Sequence, residues 1–266
     1  MRDAGDGTVA KALEVLDRVA AYGRPVRFSD LLENSPYPKA TLYRFLQTLT
    51  RQRMLSYDPD RQTYALGMRL VKLAHTAWAQ SSLAPIAQDH LDRLSGMIGE
   101  TVHLAQLDNG QVLYVDKRNA RQPIQMFAQA GKIGPAYCTG VGKVMLAHLP
   151  EEALDQALAR QSWHRFTDHT HTGPDSLRAE LAQIRANGFG YDREEHEPGI
   201  ICIAVPILTA TGGVLGALSV TSSTSRTDLD QLGRLSIPLR QTAEAIARDA
   251  QPWAFPQTQT RKQGGA

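Results

Sequence analysis

The chain has 266 residues, of which 42% are hydrophobic and 21% charged, and a formal net charge of +2. That is ordinary for a soluble protein of one large or two average domains, and no apolar run reaches the roughly 18 residues of a membrane span. Two widely spaced cysteines, Cys138 and Cys202, exclude a disulfide framework and a cysteine-rich zinc module. The polar start, without an apolar leader segment, reads as cytoplasmic.

Charge is unevenly spread. Between Lys39 and Arg69 there are six basic residues (Lys39, Arg44, Arg51, Arg53, Arg61, Arg69) against Asp58 and Asp60, so this stretch carries +4 and the remainder −2. Such a stripe is the footprint of a nucleic-acid-reading module or, alternatively, a solvated helix face.

Residues 9–22 place Val9, Ala12, Leu13, Val15, Leu16, Val19 and Ala20 at steps of three and four. That predicts a helix capped by Thr8 and stopped by Gly23 and Pro25. A second helix is predicted over 30–34, capped by Ser29, with Leu31 and Leu32 inward. Ser35-Pro36-Tyr37-Pro38 breaks the chain, and Pro38 suits the first turn of a third helix, 39–53, where its missing N–H costs nothing. Leu42, Phe45, Leu46 and Leu49 form the buried face of this helix; Lys39, Thr41, Arg44, Gln47 and Thr48 lie opposite. Residues 55–57 and 63–66 read as strands around the turn 58–62. Helix, helix, turn, helix and hairpin make a winged helix-turn-helix.

A connecting helix is predicted over 68–84 and another over 85–98. The pattern then becomes mixed. Strands are expected at 101–105 and 112–115, helices at 141–148, 151–160 and 175–187, strands at 200–209 and 214–222, and a final helix at 227–249. The polar end, 252–266, reads as a disordered tail. The predicted organisation is an α+β chain: a DNA-binding domain at 8–67, a linker helix at 68–84 and a larger second domain at 85–251.

Major-groove reading uses side chains from the start of a helix. Lys39, Thr41, Tyr43 and Arg44 occupy the first two turns of the third helix, and Thr48 lies further along its polar side. Arg44 can donate to guanine in a bidentate manner, and Lys39 with the helix-start amides can take phosphate. Arg61, at the wing tip, is placed to meet the minor groove or backbone. In the second domain, the amides of Gly140 and Val141 open a helix and are suited to an anion, or form a plain turn. Ser219 and Thr221 share one face of a strand, where their hydroxyls need a partner, either a ligand or neighbouring protein groups. Asp192 is a further ligand candidate or part of a solvated acidic loop, and Cys202 a candidate or a small buried residue.

Phe28-Ser29-Asp30-Leu31-Leu32, followed by the run from Pro38 to Leu49, resembles the helix-turn-helix of the IclR family of bacterial transcription regulators. The run from Asp192 to Ile207, with Gly212 and Gly216-Ala217-Leu218-Ser219-Val220 after it, resembles that family's C-terminal signature. The resemblance spans about residues 8–249. It implies a GAF-like effector-binding domain with a mixed antiparallel sheet, and a pocket formed by Gly140, Val141, Asp192, Cys202, Ser219 and Thr221. Thr221 stands where the family often has Ser, so the hydroxyl is kept and a methyl is added. The implied partners are double-stranded operator DNA, a small carboxylate, sugar-acid or aromatic-acid effector, and the chain itself as homodimer or homotetramer. The stretch from Pro135 to Lys143 is most similar to members that regulate sugar or sugar-acid catabolism.

Two other readings are open to the sequence. Cys138 or Cys202 with a histidine suggests an enzyme, and His164, His169 and His171 suggest a metal site. Nothing supplies an orienting third group or a complete ligand set, so no catalytic residue, metal or cofactor is assigned. A pure interaction module would bind no DNA at all.

Overall fold

The computed structural model describes residues 7–251, without the side chains of 78–81. The expected tail at 252–266 lies outside the described residues. Two compact units divide between Gln80 and Ser81.

The first unit runs α1 (Thr8–Ala21), β1 (Val26–Arg27), α2 (Phe28–Glu33), α3 (Lys39–Arg51), β2 (Leu55–Asp58), β3 (Thr63–Leu66) and α4 (Met68–Ser81). Val15, Leu16 and Val19 of α1 meet Leu42, Phe45, Leu46 and Leu49 of α3 in one core closed by Leu31, Leu55 and Tyr64. The three- and four-residue spacing puts each set on one helical face. The strands form an antiparallel sheet in the order β1-β3-β2.

Several boundaries depart from the sequence reading. β1 was not expected, because two residues cannot display an alternation. It pairs with Tyr64 and Thr63, so the backbone stays extended through Arg27, which becomes the N-cap of α2. Ser29 therefore sits inside the first turn and donates to Asp30 instead of capping. Gly7, not Thr8, is the N-cap of α1, and Pro38 occupies the N-cap of α3. α3 ends at Arg51, since Arg53 turns to φ +58°.

The second unit runs α5 (Ala84–Ile98), β4 (Thr101–Asp108), β5 (Gln111–Arg118), β6 (Ile133–Gly134), α6 (Gly140–Leu146), α7 (Glu151–Ala159), α8 (Pro174–Asn187), β7 (Gly190–Arg193), β8 (Ile200–Leu208), β9 (Val214–Ser223), α9 (Leu229–Gly233) and α10 (Ser236–Asp249). One six-stranded sheet has the order β6-β5-β4-β9-β8-β7, with every neighbouring pair antiparallel. α6 lies on the face bearing Cys202 and Ala204, backed by α8. The alternate residues Ile201, Ile203 and Val205 point to the other face, covered by α5 and α10.

The final helix, expected to be continuous over 227–249, is broken at Arg234 and Leu235 into α9 and α10. Pro238 explains the break: it has no N–H to donate to the Arg234 carbonyl. Asp228 caps α9 by accepting from the Gln231 amide at 2.8 Å. No described helix is long and apolar enough to cross a membrane.

Leu46 is fully buried in the core of the first unit. Leu46→Ala is expected to destabilise that unit by about 2–5 kcal/mol through lost transfer energy and the cavity left behind. Urea denaturation followed by circular dichroism checks this.

Candidate nucleic-acid interface and ligand pocket

In the first unit, α3 and the β2–β3 hairpin frame a concavity of about 790 Å³. Lys39 and Tyr43 line it from α3, Arg27 and Ser29 from the β1–α2 junction, and Tyr57, Gln62 and Tyr64 from the hairpin. Tyr43 is held in place by an edge-on contact with Phe28 at 6.0 Å and a hydrogen bond from Gln47 Nε2 at 2.7 Å. Arg44 is exposed one position further, its guanidinium 5.9 Å from the Phe45 ring centroid. Thr41 and Thr48 are half-buried, and Thr48 accepts a long hydrogen bond from Arg51. Arg61 is exposed on the hairpin turn. Its amide and that of Asp60 donate to Asp58 Oδ1 at 3.1 and 3.0 Å, which fixes the tip. Lys39, Arg44 and Arg61 enter no ion pair among the described residues.

Lys39 and Tyr43 thus share one concavity, whereas Thr41, Arg44, Thr48 and Arg61 do not line it. Arg27, Ser29 and Gln62 line it and were missed. Arg27 was hidden by the brevity of β1, and Gln62 by the loop-like composition of 58–62.

In the second unit, strand register builds the site. Asp192 pairs with Cys202, Cys202 with Thr221, and Thr221 with Thr101, giving one row across β7, β8, β9 and β4. Two residues along, Ala204, Ser219 and His103 form the next row. Side chains two apart share a face, so all of these look toward α6. Gly140 opens α6 against them, and an added Cβ there would overlap Cys202 Sγ. The absence of a side chain lets the helix start come this close. Gly140, Val141, Asp192, Cys202, Ser219 and Thr221 line one cavity of about 30 Å³, together with His103, Tyr114, Met126, Glu197 and others.

His103 was missed, because a lone histidine in an apolar strand carries no signal of its own. It is 1% exposed. Its Nδ1 lies 3.3 Å from Thr221 Oγ1, and its Nε2 has no hydrogen-bond partner among the described residues. Burial, aided by the Lys117 charge, lowers its pKa to about 3, so the ring is neutral near pH 7. Asp192 lies on edge strand β7, not on a solvated loop, and is 7% exposed. Burial and the charge of Glu195 push its carboxyl up to about 8. Its Oδ1 accepts from the Glu195 amide at 2.8 Å. Burial and Asp192 also push both cysteine thiols up. A thiol raised in this way is a poor nucleophile, which argues against the cysteine-enzyme reading. His164 packs edge-on against Phe166, and His169 is exposed.

The Asp192 shift gives a pH prediction. Between about pH 4 and pH 8 the folded chain holds a proton at Asp192 that the unfolded chain has released. Stability from this group therefore falls as pH rises through that window. Asp192→Asn is expected to gain stability relative to the parent as pH rises, in urea midpoints measured at several pH values.

Residues 8–59 match the IclR helix-turn-helix domain, and residues 75–248 match the bacterial transcriptional regulator IclR C-terminal domain. The HTH-type transcriptional regulator XynR of Escherichia coli is 31% identical over 241 residues, covering 91% of this chain and 96% of that protein. The acetate operon repressor of Salmonella typhimurium is 28% identical, covering 90% and 88%. Among solved structures, the Thermotoga maritima IclR superposes with a TM-score of 0.73 at 30% identity, covering 91% of this chain and 97% of that one. With both units matched and the fold shared, the chain belongs to the IclR family of bacterial transcriptional regulators, proteins with a DNA-binding helix-turn-helix unit and an effector-binding C-terminal domain.

Proposed function

We propose that the chain is a repressor whose grip on operator DNA is controlled by a small organic acid or sugar-derived acid bound between α6 and the sheet. The observation that carries this is the convergence of Asp192, Cys202, Ser219, Thr221 and His103 on one buried cavity beside the amides of Gly140 and Val141. A protonated Asp192, a neutral His103 and two hydroxyls give directional hydrogen bonds without adding negative charge, which suits an anionic ligand. The acetate operon repressor supports the repressor reading. Residues 8–67 serve DNA, 68–84 connect and 85–251 sense. A homodimer or homotetramer supplies the paired heads that a two-fold operator requires.

The cavity of about 30 Å³ is narrow, so an acid as large as a sugar acid or aromatic acid enters only by displacing its walls, and ligand-bound and ligand-free states then differ in packing. An effector then changes operator affinity by no more than its preference for one state, on the order of 1–3 kcal/mol in typical couplings.

A thermal-shift screen of organic, sugar and aromatic acids tests the sensor. A stabilising acid is expected to lose its effect in the Asp192→Ala, Ser219→Ala double variant, while operator binding survives. An unaltered shift in that variant would place the effector elsewhere. For the DNA face, Arg44→Ala is expected to abolish sequence-specific footprinting without changing the effector shift. Operator affinity is expected to fall steeply and log-linearly with salt, by about 0.9 log unit per phosphate contact for each tenfold rise. A flat titration would contradict phosphate binding by the basic stripe.

A further inference from the structure

Beside the pocket, where α6, α8 and the turn after β7 meet, lies a second polar cluster. The segment 160–173 is tied to the turn after β7 by two threonines. Thr167 Oγ1 donates to the Glu194 carbonyl at 2.7 Å, and Thr170 Oγ1 to the Glu195 carbonyl at 2.6 Å. These bonds carry His171 to the buried carboxylate of Glu195, where α8 adds Glu180. Fully buried Lys143 bridges the Oε1 atoms of both glutamates. Their Oε2 atoms turn the other way, toward the imidazole. Glu180 Oε2 lies 2.6 Å from His171 Nε2, and Glu195 Oε2 lies 4.0 Å from it. Glu195 is 3% exposed, and its Oε2 has no hydrogen-bond partner among the described residues.

We propose that His171 Nε2, Glu180 Oε2 and Glu195 Oε2 bind a divalent transition-metal ion of the zinc class. One ligand atom from each of the three residues lies within 4.8 Å of the others, and His171 Nε2 is 2.6 Å from Glu180 Oε2 and 4.0 Å from Glu195 Oε2. A four-coordinate ion with bonds of about 2.0–2.2 Å closes this triangle after small side-chain shifts and leaves one position for water. One imidazole and only two carboxylates suit a borderline ion better than magnesium or calcium, which require more oxygen ligands. The imidazole is already oriented. Ser176 Oγ lies 3.0 Å from His171 Nδ1 and 3.3 Å from the Gly173 carbonyl, so in the tautomer with Nδ1–H it accepts that proton, donates to the carbonyl and leaves the Nε2 lone pair for the metal. Metal entry selects this tautomer, and a proton on Nε2 is given up to solvent.

Lys143 and Arg193 together offset the two carboxylates, and both approach from the Oε1 side, so the Oε2 atoms remain turned toward the imidazole. A bound ion would fasten residue 171 and the turn 192–195 together. It would stiffen the wall that carries Asp192 without touching the effector, so this site stands or falls separately from the sensor reading.

The test uses the full-length chain, stripped with a chelator and titrated with Co²⁺ and then Zn²⁺. One equivalent of Co²⁺ is expected to give visible ligand-field bands of four-coordinate type, which Zn²⁺ bleaches. Zn²⁺ is also expected to raise the thermal midpoint. His171→Ala and Glu180→Gln should each lose both signals, and Ser176→Ala should weaken Co²⁺ binding by about 10–100-fold. If His171→Ala misfolds by circular dichroism, Glu180→Gln, which keeps side-chain shape, decides. Absence of the bands in the parent chain, or their persistence in Glu180→Gln, overturns the proposal and leaves His171 as an ion-pair partner only.

Discussion

The antiparallel register of β8 on β9, extended to β4 and β7, underlies the sensing unit. It aligns Asp192, Cys202 and Thr221 in one row and Ala204, Ser219 and His103 in the next. A slip of one residue would turn every one of these side chains to the face covered by α5 and α10. The small residues on this face also admit α6, whose first residue must be glycine to sit against Cys202. Pairing thus fixes both the chemistry of the pocket and the approach of the helix that closes it.

The two units handle charge in opposite ways. In the sensing unit, Lys143, Arg118 and Arg178 are each held by carboxylates. Breaking the buried Lys143 pairs would strand a charge inside the protein, which costs far more than a surface pair returns. In the DNA-reading unit, Lys39, Arg44 and Arg61 are exposed and remain available to phosphates and bases. A net charge of +2 conceals this division.

Periodicity made most of the fold legible. α1 and α3 announced themselves through apolar steps of three and four, β8 through its β-branched run, and β9 through the apolar stretch after Gly212-Gly213. Short or interrupted elements were not legible. β1 and β6 have two residues each, and β7 has Asp192 and Arg193 in four. Such strands are defined by their partners, not by their own pattern. Pro238 did announce the break between α9 and α10, but the apolar rhythm on either side masked it. For the pocket, six residues carried by family resemblance line one cavity. His103 joins them only through cross-strand pairing with Ser219, which no local spacing encodes. The histidine cluster in 164–171 likewise looked like a single group. Only His171 turns inward, because the hydroxyls of Thr167 and Thr170 anchor the loop beside Glu195.

The narrow cavity beside Gly140 also bears on size selection. Tyr114, Met126 and the sheet face bound a space of about 30 Å³, so every atom added to a ligand must be matched by movement of a packed wall. Bulk carries a cost in repacking, and compact ligands are favoured over extended ones.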